Sequence, residues 1–290
     1  MRNQLCEALE RPLYSYQVPL SNLIINSVIT GLVYRGIREI PIQWPRQTGK
    51  TETNVLTTFT LCIAVPRYAE TERFQVGFAS PARGQTIVVT RDRLKTYADE
   101  LKNWLAINVG IDLYLDKGLR TPDYIFQHSN GCRASIRCHS ADTSAQEEGY
   151  TEQLQFFEQV EHMNAQKMKA TFFPYGAGST IGATRVFSGT PSLTIENDYY
   201  YKLVTGILNK KEPLFLRTET AAEEKPGYAQ FLATEIKRLG ADSPEYRTQY
   251  GNEWVLPRNK LIDRRTLLTF TYDPETYRRQ PAALRAGGLD

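Results

Sequence analysis

Four cysteines in 290 residues (Cys6, Cys62, Cys132 and Cys138) make no CxxC pair and no zinc-type spacing. That excludes a disulfide-stapled scaffold and points to a reduced, cytosolic setting. Cys132, Cys138 and His139 alternate with Ala134 and Ile136, a pattern that reads as a strand rather than a metal cluster. Histidine is scarce too, and His128, His139 and His162 are expected at the surface or on a hairpin. No basic-then-apolar leader opens the chain. Its longest apolar run, Val55–Val65, is too short and too rich in threonine to cross a bilayer, so a soluble protein away from membranes is expected. Charge of one sign is also lacking: 35 Lys and Arg against 32 Asp and Glu leave +3, too little to indicate a nucleic-acid partner. There are no repeats and no low-complexity tracts.

What is present is the ordinary balance of a globular domain, with 41% hydrophobic and 23% charged residues, and enough length for one large α/β domain with a small appendage. Apolar positions in Leu20–Leu32 recur at helical spacing. Ile37–Trp44 reads as a strand, Thr51–Pro66 as a helix, Phe74–Ala79 as a strand and Pro81–Leu105 as a long amphipathic helix. Tyr124–Gln127 and Arg133–Cys138 form a hairpin through the Asn130-Gly131 turn. Leu154–Phe157, Thr184–Phe187 and Pro213–Arg217 are further strand candidates. Tyr228–Leu239 and Pro244–Glu253 are the last helices, the second opened by Asp242-Ser243-Pro244. Strands alternating with helices imply a mostly parallel central sheet flanked by helices.

Between the first strand and its helix lies Trp44-Pro45-Arg46-Gln47-Thr48-Gly49-Lys50-Thr51. The closing Gly-Lys-Thr is that of a phosphate-binding loop, and strand–loop–helix is the context such a loop needs. Backbone N–H groups and the helix N-terminus would converge on a polyphosphate. Lys50 would reach the β- and γ-phosphates, and Thr51 would ligate Mg²⁺. Trp44 stands where the standard loop has its first glycine.

Several segments in this order resemble the ATPase domain of the large terminase subunit, the DNA-packaging motor of tailed bacteriophages, over residues 12–256. Leu13-Tyr14-Ser15-Tyr16-Gln17 is similar to the adenine-recognition segment, with Gln17 as the reader. Pro45–Thr51 is similar to the phosphate loop, Arg46 and Gln47 included. Phe78-Ala79-Ser80-Pro81 with Gln85 resembles the second strand-to-helix junction. Ser188-Gly189-Thr190-Pro191 resembles the coupling motif. Glu245-Tyr246 with Glu253-Trp254 resembles the segment that ends the domain. The resemblance implies a P-loop NTPase fold of RecA type with a small helical lid from roughly 195–256 and the N-terminal segment. It also implies ATP and Mg²⁺ as ligands, and translocation of viral double-stranded DNA into a capsid. A homo-oligomeric ring, a portal protein and a small terminase subunit would be its partners, and the host cytoplasm its location, with transient residence at the procapsid portal.

Two departures stand out. Aligning Gly149 and the strand Leu154–Phe157 puts Glu158 where the family has its Mg²⁺-binding Asp and Gln159 where it has the water-orienting Glu. Glu161, two residues on, is the alternative carboxylate. The position before Gly149, where related motors carry an arginine, is Glu148. Arg46 in cis, or Arg133 or Arg137 in trans, would then supply the positive charge, which is worth ~10³–10⁵ in rate. Beyond Leu256 the chain carries seven Lys/Arg against four acids. The pairs Arg264-Arg265 and Arg278-Arg279 read as solvated faces, with DNA-backbone contact the alternative. Residues 257–290 resemble a linker, and Ala286–Asp290 the first strand of an RNase-H-like nuclease, too little to cut DNA. A helicase-like remodelling ATPase and a nucleotide-binding assembly module with weak or no hydrolysis are the two other readings of the same residues.

Overall fold

The computed structural model describes residues 1–68, 72–81, 86–117, 123–141, 150–179, 182–206 and 212–255, all within one compact unit, Met1–Val255. Gln85, Glu148, Gly149 and the expected linker and nuclease strand at 257–290 lie outside the described residues, as do the basic pairs there.

Seven strands form one sheet in the order β1-β7-β6-β2-β5-β4-β3. These are β1 (Ile37–Gln43), β2 (Arg73–Ser80), β3 (Ile111–Asp116), β4 (Asp123–His128), β5 (Arg133–Ser140), β6 (Leu154–Glu158) and β7 (Ala183–Gly189). The first five in the spatial order run parallel, and β4 and β3 add an antiparallel edge. Helices α1 (Arg2–Ala8), α2 (Gln17–Tyr34), α3 (Lys50–Tyr68) and α4 (Thr86–Asn108) are interleaved with the first strands in the chain. Side chains of period two sort the sheet's faces. Leu154, Phe156 and Val186 pack with Leu20, Val55, Phe59 and Leu101 in one core. Phe157 and Phe187 pack with Val160, Met168, Phe172 and Tyr200 in a second.

That second core is roofed by a 3₁₀ turn (Val160–His162), helices α5 (Ala165–Lys167) and α6 (Phe173–Ala177) joined by a π-helical stretch (Met168–Phe172), and α7 (Asp198–Gly206). Helices α8 (Thr218–Glu224), α9 (Tyr228–Leu239) and α10 (Pro244–Gln249) complete the unit. The parallel-sheet fold class thus holds. Pro213–Arg217 is not a strand. It contributes one bridge, Phe215 to Gln43, because Pro213 has no N–H to give and its carbonyl is taken by Trp44 Nε1 at 2.8 Å.

Helix α3 lies buried although threonines interrupt the first half of its apolar run. Its hydroxyls turn back on their own backbone: Thr57 to Thr53 at 2.6 Å, Thr58 to Asn54 at 2.8 Å and Thr60 to Leu56 at 2.9 Å. Threonine satisfied this way can be buried at little polar cost. Two of the three histidines expected at the surface or on a hairpin lie on the hairpin strands β4 and β5, and both are buried. His128 Nε2 meets Cys62 O at 3.0 Å, and His139 Nε2 lies 2.5 Å from Glu152 Oε1. Glu152 fits there because Gly77, in mid-strand, has no side chain. A Cβ at position 77 would collide with the carboxylate. Gly77 stands in register with Arg137 and Gln155 and, one and two strands further, with Arg185 and Glu39, so a polar row crosses five strands on this face.

Candidate nucleotide site

At the carboxyl end of β1 the chain leaves the sheet, loops through 44–49 and enters α3, which places the loop amides at a helix N-terminus. Gln47 and Gly49 hold positive φ, 60° and 88°, and Gly49 meets the need for that conformation without strain. The loop's neighbours are β7, which ends in Ser188-Gly189, and β6, which ends in Glu158. Together they line a cleft of 710 Å³ that contains Arg46, Gln47, Thr48, Gly49, Lys50, Thr51, Glu158, Gln159, Glu161, Ser188, Gly189 and Thr190. The sheet order therefore brings every expected phosphate-loop, acidic and coupling residue to one place.

Lys50 Nζ donates to Trp44 O at 2.7 Å, Pro45 O at 2.9 Å and Thr190 Oγ1 at 3.2 Å. Burial pulls its pKa down to about 8, against the opposing pull of Glu161 and then Glu158. Thr51 Oγ1 donates to Glu158 Oε2 at 3.0 Å. Asn54 Nδ2 donates both to Glu158 Oε1 at 2.7 Å and to Ser188 Oγ at 2.8 Å, so one amide joins the acidic strand to the coupling strand. Glu158 is buried, and that burial raises its pKa while Asn54, Thr51 and Lys50 hold it down.

Gln159 is exposed and left-handed at φ 53°. That bend sends the chain into the 3₁₀ turn, and Glu161 comes back into the cleft. Glu161 is 7% exposed, and its Oε2 is buried with no hydrogen-bond partner. Burial raises its pKa, while backbone N–H groups at Glu161 and Thr190 stabilise the charge. Trp44, in place of a glycine, is wholly buried beside Tyr16, so its indole serves the core and leaves the cradle open.

Arg46 is exposed, lines the cleft and is held by Gln249 Oε1 at 2.8 Å. Arg137 is no free finger: it is bonded to Asp123 through both Nε and Nη2 and lies over the Tyr150 ring at 4.0 Å. Arg133 is partly exposed, 3.8 Å from Asp116. A second cleft of 690 Å³ adjoins the loop at Gln47 and Gly49, lined by Arg11, Tyr14, Gln17, Glu52, Arg93, Tyr97 and Lys225. Gln17 reaches it, yet both ends of its amide are engaged. Oε1 accepts Tyr14 N–H at 2.9 Å, and Nε2 donates to Gly49 O at 3.3 Å. Asn54, Gln249 and Arg93 (held by Glu52 at 2.9 Å) were not singled out from the sequence. Only Asn54 had a signal, since it sits one helical turn beyond Lys50 on the same face.

No group of three or more His, Cys, Asp or Glu among the described residues could hold a metal alone. Two hard oxygens, Thr51 Oγ1 and Glu158 Oε2, already meet at the cleft. That donor set fits Mg²⁺, which takes one or two protein oxygens and completes its shell with phosphate and water.

Strand order, loop and cleft define a P-loop nucleotide-binding α/β fold. Solved structures that match it include large terminases. The large terminase ATPase domain of Thermus phage P74-26 aligns with a TM-score of 0.55 and 16% identity over 86% of this chain and 97% of that one. The large terminase of a second thermophilic bacteriophage, in complex with ADP, aligns at 0.53 and 16% over 84% of this chain and 54% of that one. The HK97 bacteriophage large terminase aligns at 0.55 and 12% over 81% and 50%. The match thus spans nearly all of an isolated ATPase domain and about half of the longer terminases. No family model matches the chain, and no curated protein does either. The fold is that of large terminase ATPase domains.

Proposed function

We propose that this chain is an ATP-hydrolysing motor subunit that drives double-stranded viral DNA into a capsid. The observation that carries the reading is the meeting of Lys50, Thr51, Glu158 and Glu161 in one cleft at the carboxyl ends of three adjacent parallel strands. Loop amides and Lys50 neutralise the triphosphate. Thr51 and Glu158 hold Mg²⁺, which when bound supplies charge neutralisation on the β- and γ-phosphates. Glu161, buried in the lining of the cleft with one oxygen unpartnered, orients the attacking water and receives its proton. Gln159 sits at the mouth and can contribute an amide contact to that water. Arg46 approaches the γ-phosphate in cis, or a neighbouring subunit supplies the charge. Ser188, Gly189 and Thr190 sense loss of the γ-phosphate, since Thr190 touches Lys50 and its N–H stabilises Glu161.

A ring of copies on DNA, with portal and small-terminase partners in a host cytoplasm, completes the reading. Among the described residues no helix is long and apolar enough to cross a membrane. Residues 1–256 form the motor domain in this proposal and 257–290 lead toward a nuclease.

The test is calorimetry with Mg²⁺ and ATP on wild type and Lys50→Ala. Wild type binds and the variant does not; equal affinity removes the phosphate-loop assignment. ATP-dependent DNA uptake by portal-bearing empty capsids tests the motor half. Strand separation without capsid association would favour a helicase-like activity instead.

A further inference from the structure

The six carbonyls from Trp44 to Gly49 are all held by side chains. Lys50 takes those of Trp44 and Pro45, and Thr48 Oγ1 also donates to Pro45 O at 2.8 Å. The next four accept from groups outside the loop, and Gly49 O also accepts the N–H of Thr53 at 2.9 Å and its Oγ1 at 3.0 Å in the first turn of α3. Tyr228 OH donates to Arg46 O at 2.7 Å, Lys225 Nζ to Gln47 O at 2.5 Å, Tyr16 OH to Thr48 O at 3.0 Å and Gln17 Nε2 to Gly49 O at 3.3 Å. Two of these donors open α2, and two stand where α8 gives way to α9. Tyr16, Gln17 and Tyr228 are buried, so the grips are shielded from water. Burial pushes both tyrosine hydroxyls up in pKa, which keeps them protonated as donors.

A trans peptide points its carbonyl and its N–H in opposite directions. Carbonyls drawn outward from 46 to 49 therefore turn the N–H groups of residues 47 to 50 inward, toward the cradle. We propose that Tyr16, Gln17, Lys225 and Tyr228 are positioning residues that hold the phosphate loop open for a polyphosphate, and that Gln17 acts on the loop rather than on the base. This rests on the nucleotide site proposed above. It further implies that displacement of the α8–α9 corner changes affinity for the phosphates directly, through the Arg46 and Gln47 carbonyls.

The experiment compares ATP with inorganic tripolyphosphate, which has no base or sugar, by calorimetry in Mg²⁺. The proteins are wild type, Tyr16→Phe, Gln17→Leu and Tyr228→Phe. The two phenylalanine variants keep the ring contacts, Tyr16 with Tyr14 and Trp44, and Tyr228 with Phe231, so folding is preserved and checked by thermal melting. Each variant is expected to lose about five-fold in affinity for both ligands alike, the weight of one hydrogen bond. Unchanged tripolyphosphate affinity in the tyrosine variants overturns the proposal. Loss confined to ATP in Gln17→Leu would return that residue to base reading and overturns its part. Should wild type bind neither ligand, the nucleotide site itself fails, and the four residues have no cradle to hold.

Discussion

In the proposed mechanism hydrolysis turns on Glu161. Its carboxylate is buried, one oxygen is unpaired, and its pKa is raised chiefly by burial. Glu161→Gln keeps the shape and removes the base, so turnover should fall by about 10²–10⁴ while ATP affinity holds. A single-turnover assay beside calorimetry separates the two, and Gln159→Glu should raise turnover only if the base lies at 159. Because the group must be ionised, the acidic limb of kcat should lie above the ordinary glutamate range. Lys50 sets the opposite limb. Its pKa in the folded protein is lowered to about 8, so it sheds its proton as pH rises through about 8, and ATP affinity should weaken from pH 7 to 9. For stability the sign is reversed. The buried cation opposes folding fully below about pH 8, and that penalty fades as pH rises toward the ordinary lysine value. At this scale the loop motif singled out Lys50 and Thr51, and the family resemblance, aligned on Leu154–Phe157, singled out Glu158. It left 159 and 161 open because the left-handed turn at Gln159, which decides what faces the cleft, is a backbone property with no residue signature.

Elements were legible where periodicity was strong. The phosphate-loop strand, α2, α3, α9 and the Asn-Gly hairpin follow their patterns closely. Strand β3 was legible but passed over: Ile111, Leu113 and Leu115 alternate with Asp112, Tyr114 and Asp116, the period of a half-buried strand. The roof over the second core was hidden: Ala165–Ala177 mixes α and π turns around Pro174 and Gly176, with no steady period. In the sheet itself, the vacancy at Gly77 is what allows the Glu152–His139 pair to lie flat on β2. Gly77→Ala should therefore destabilise the fold by about 1–3 kcal/mol, as overpacking does, read as a lowered Tm with normal nucleotide affinity. Beside the end of β1, Asn252 Nδ2 donates to the carbonyls of Gln43 and Leu216 at 2.9 and 3.0 Å. Asn252→Ala leaves both buried groups without that donor and should lower stability by about 1–3 kcal/mol in a denaturant titration.

For the molecule as a whole, the proposed phosphoryl transfer needs a positive charge at the γ-phosphate. Arg137 is fully engaged with Asp123, which leaves Arg46 as the cis candidate and partly exposed Arg133 as one in trans. If a neighbour supplies the finger, turnover per subunit should rise with protein concentration in a steady-state assay and with DNA present. A rate independent of concentration assigns the role to Arg46. The sequence could not decide this, because the competing arginines differ in their partners rather than in their spacing.

The order of the sheet leaves β1, the strand that feeds the loop, at its margin. Gln43 turns its backbone groups away from β7, toward Leu214 and Leu216, and by the two-residue period Pro41 turns the same way. Proline there has no hydrogen to offer an incoming strand. A further strand is thereby barred from zipping onto this rim as a continuous β-ladder, so in the proposed ring a neighbouring copy must meet this side through side chains or loops.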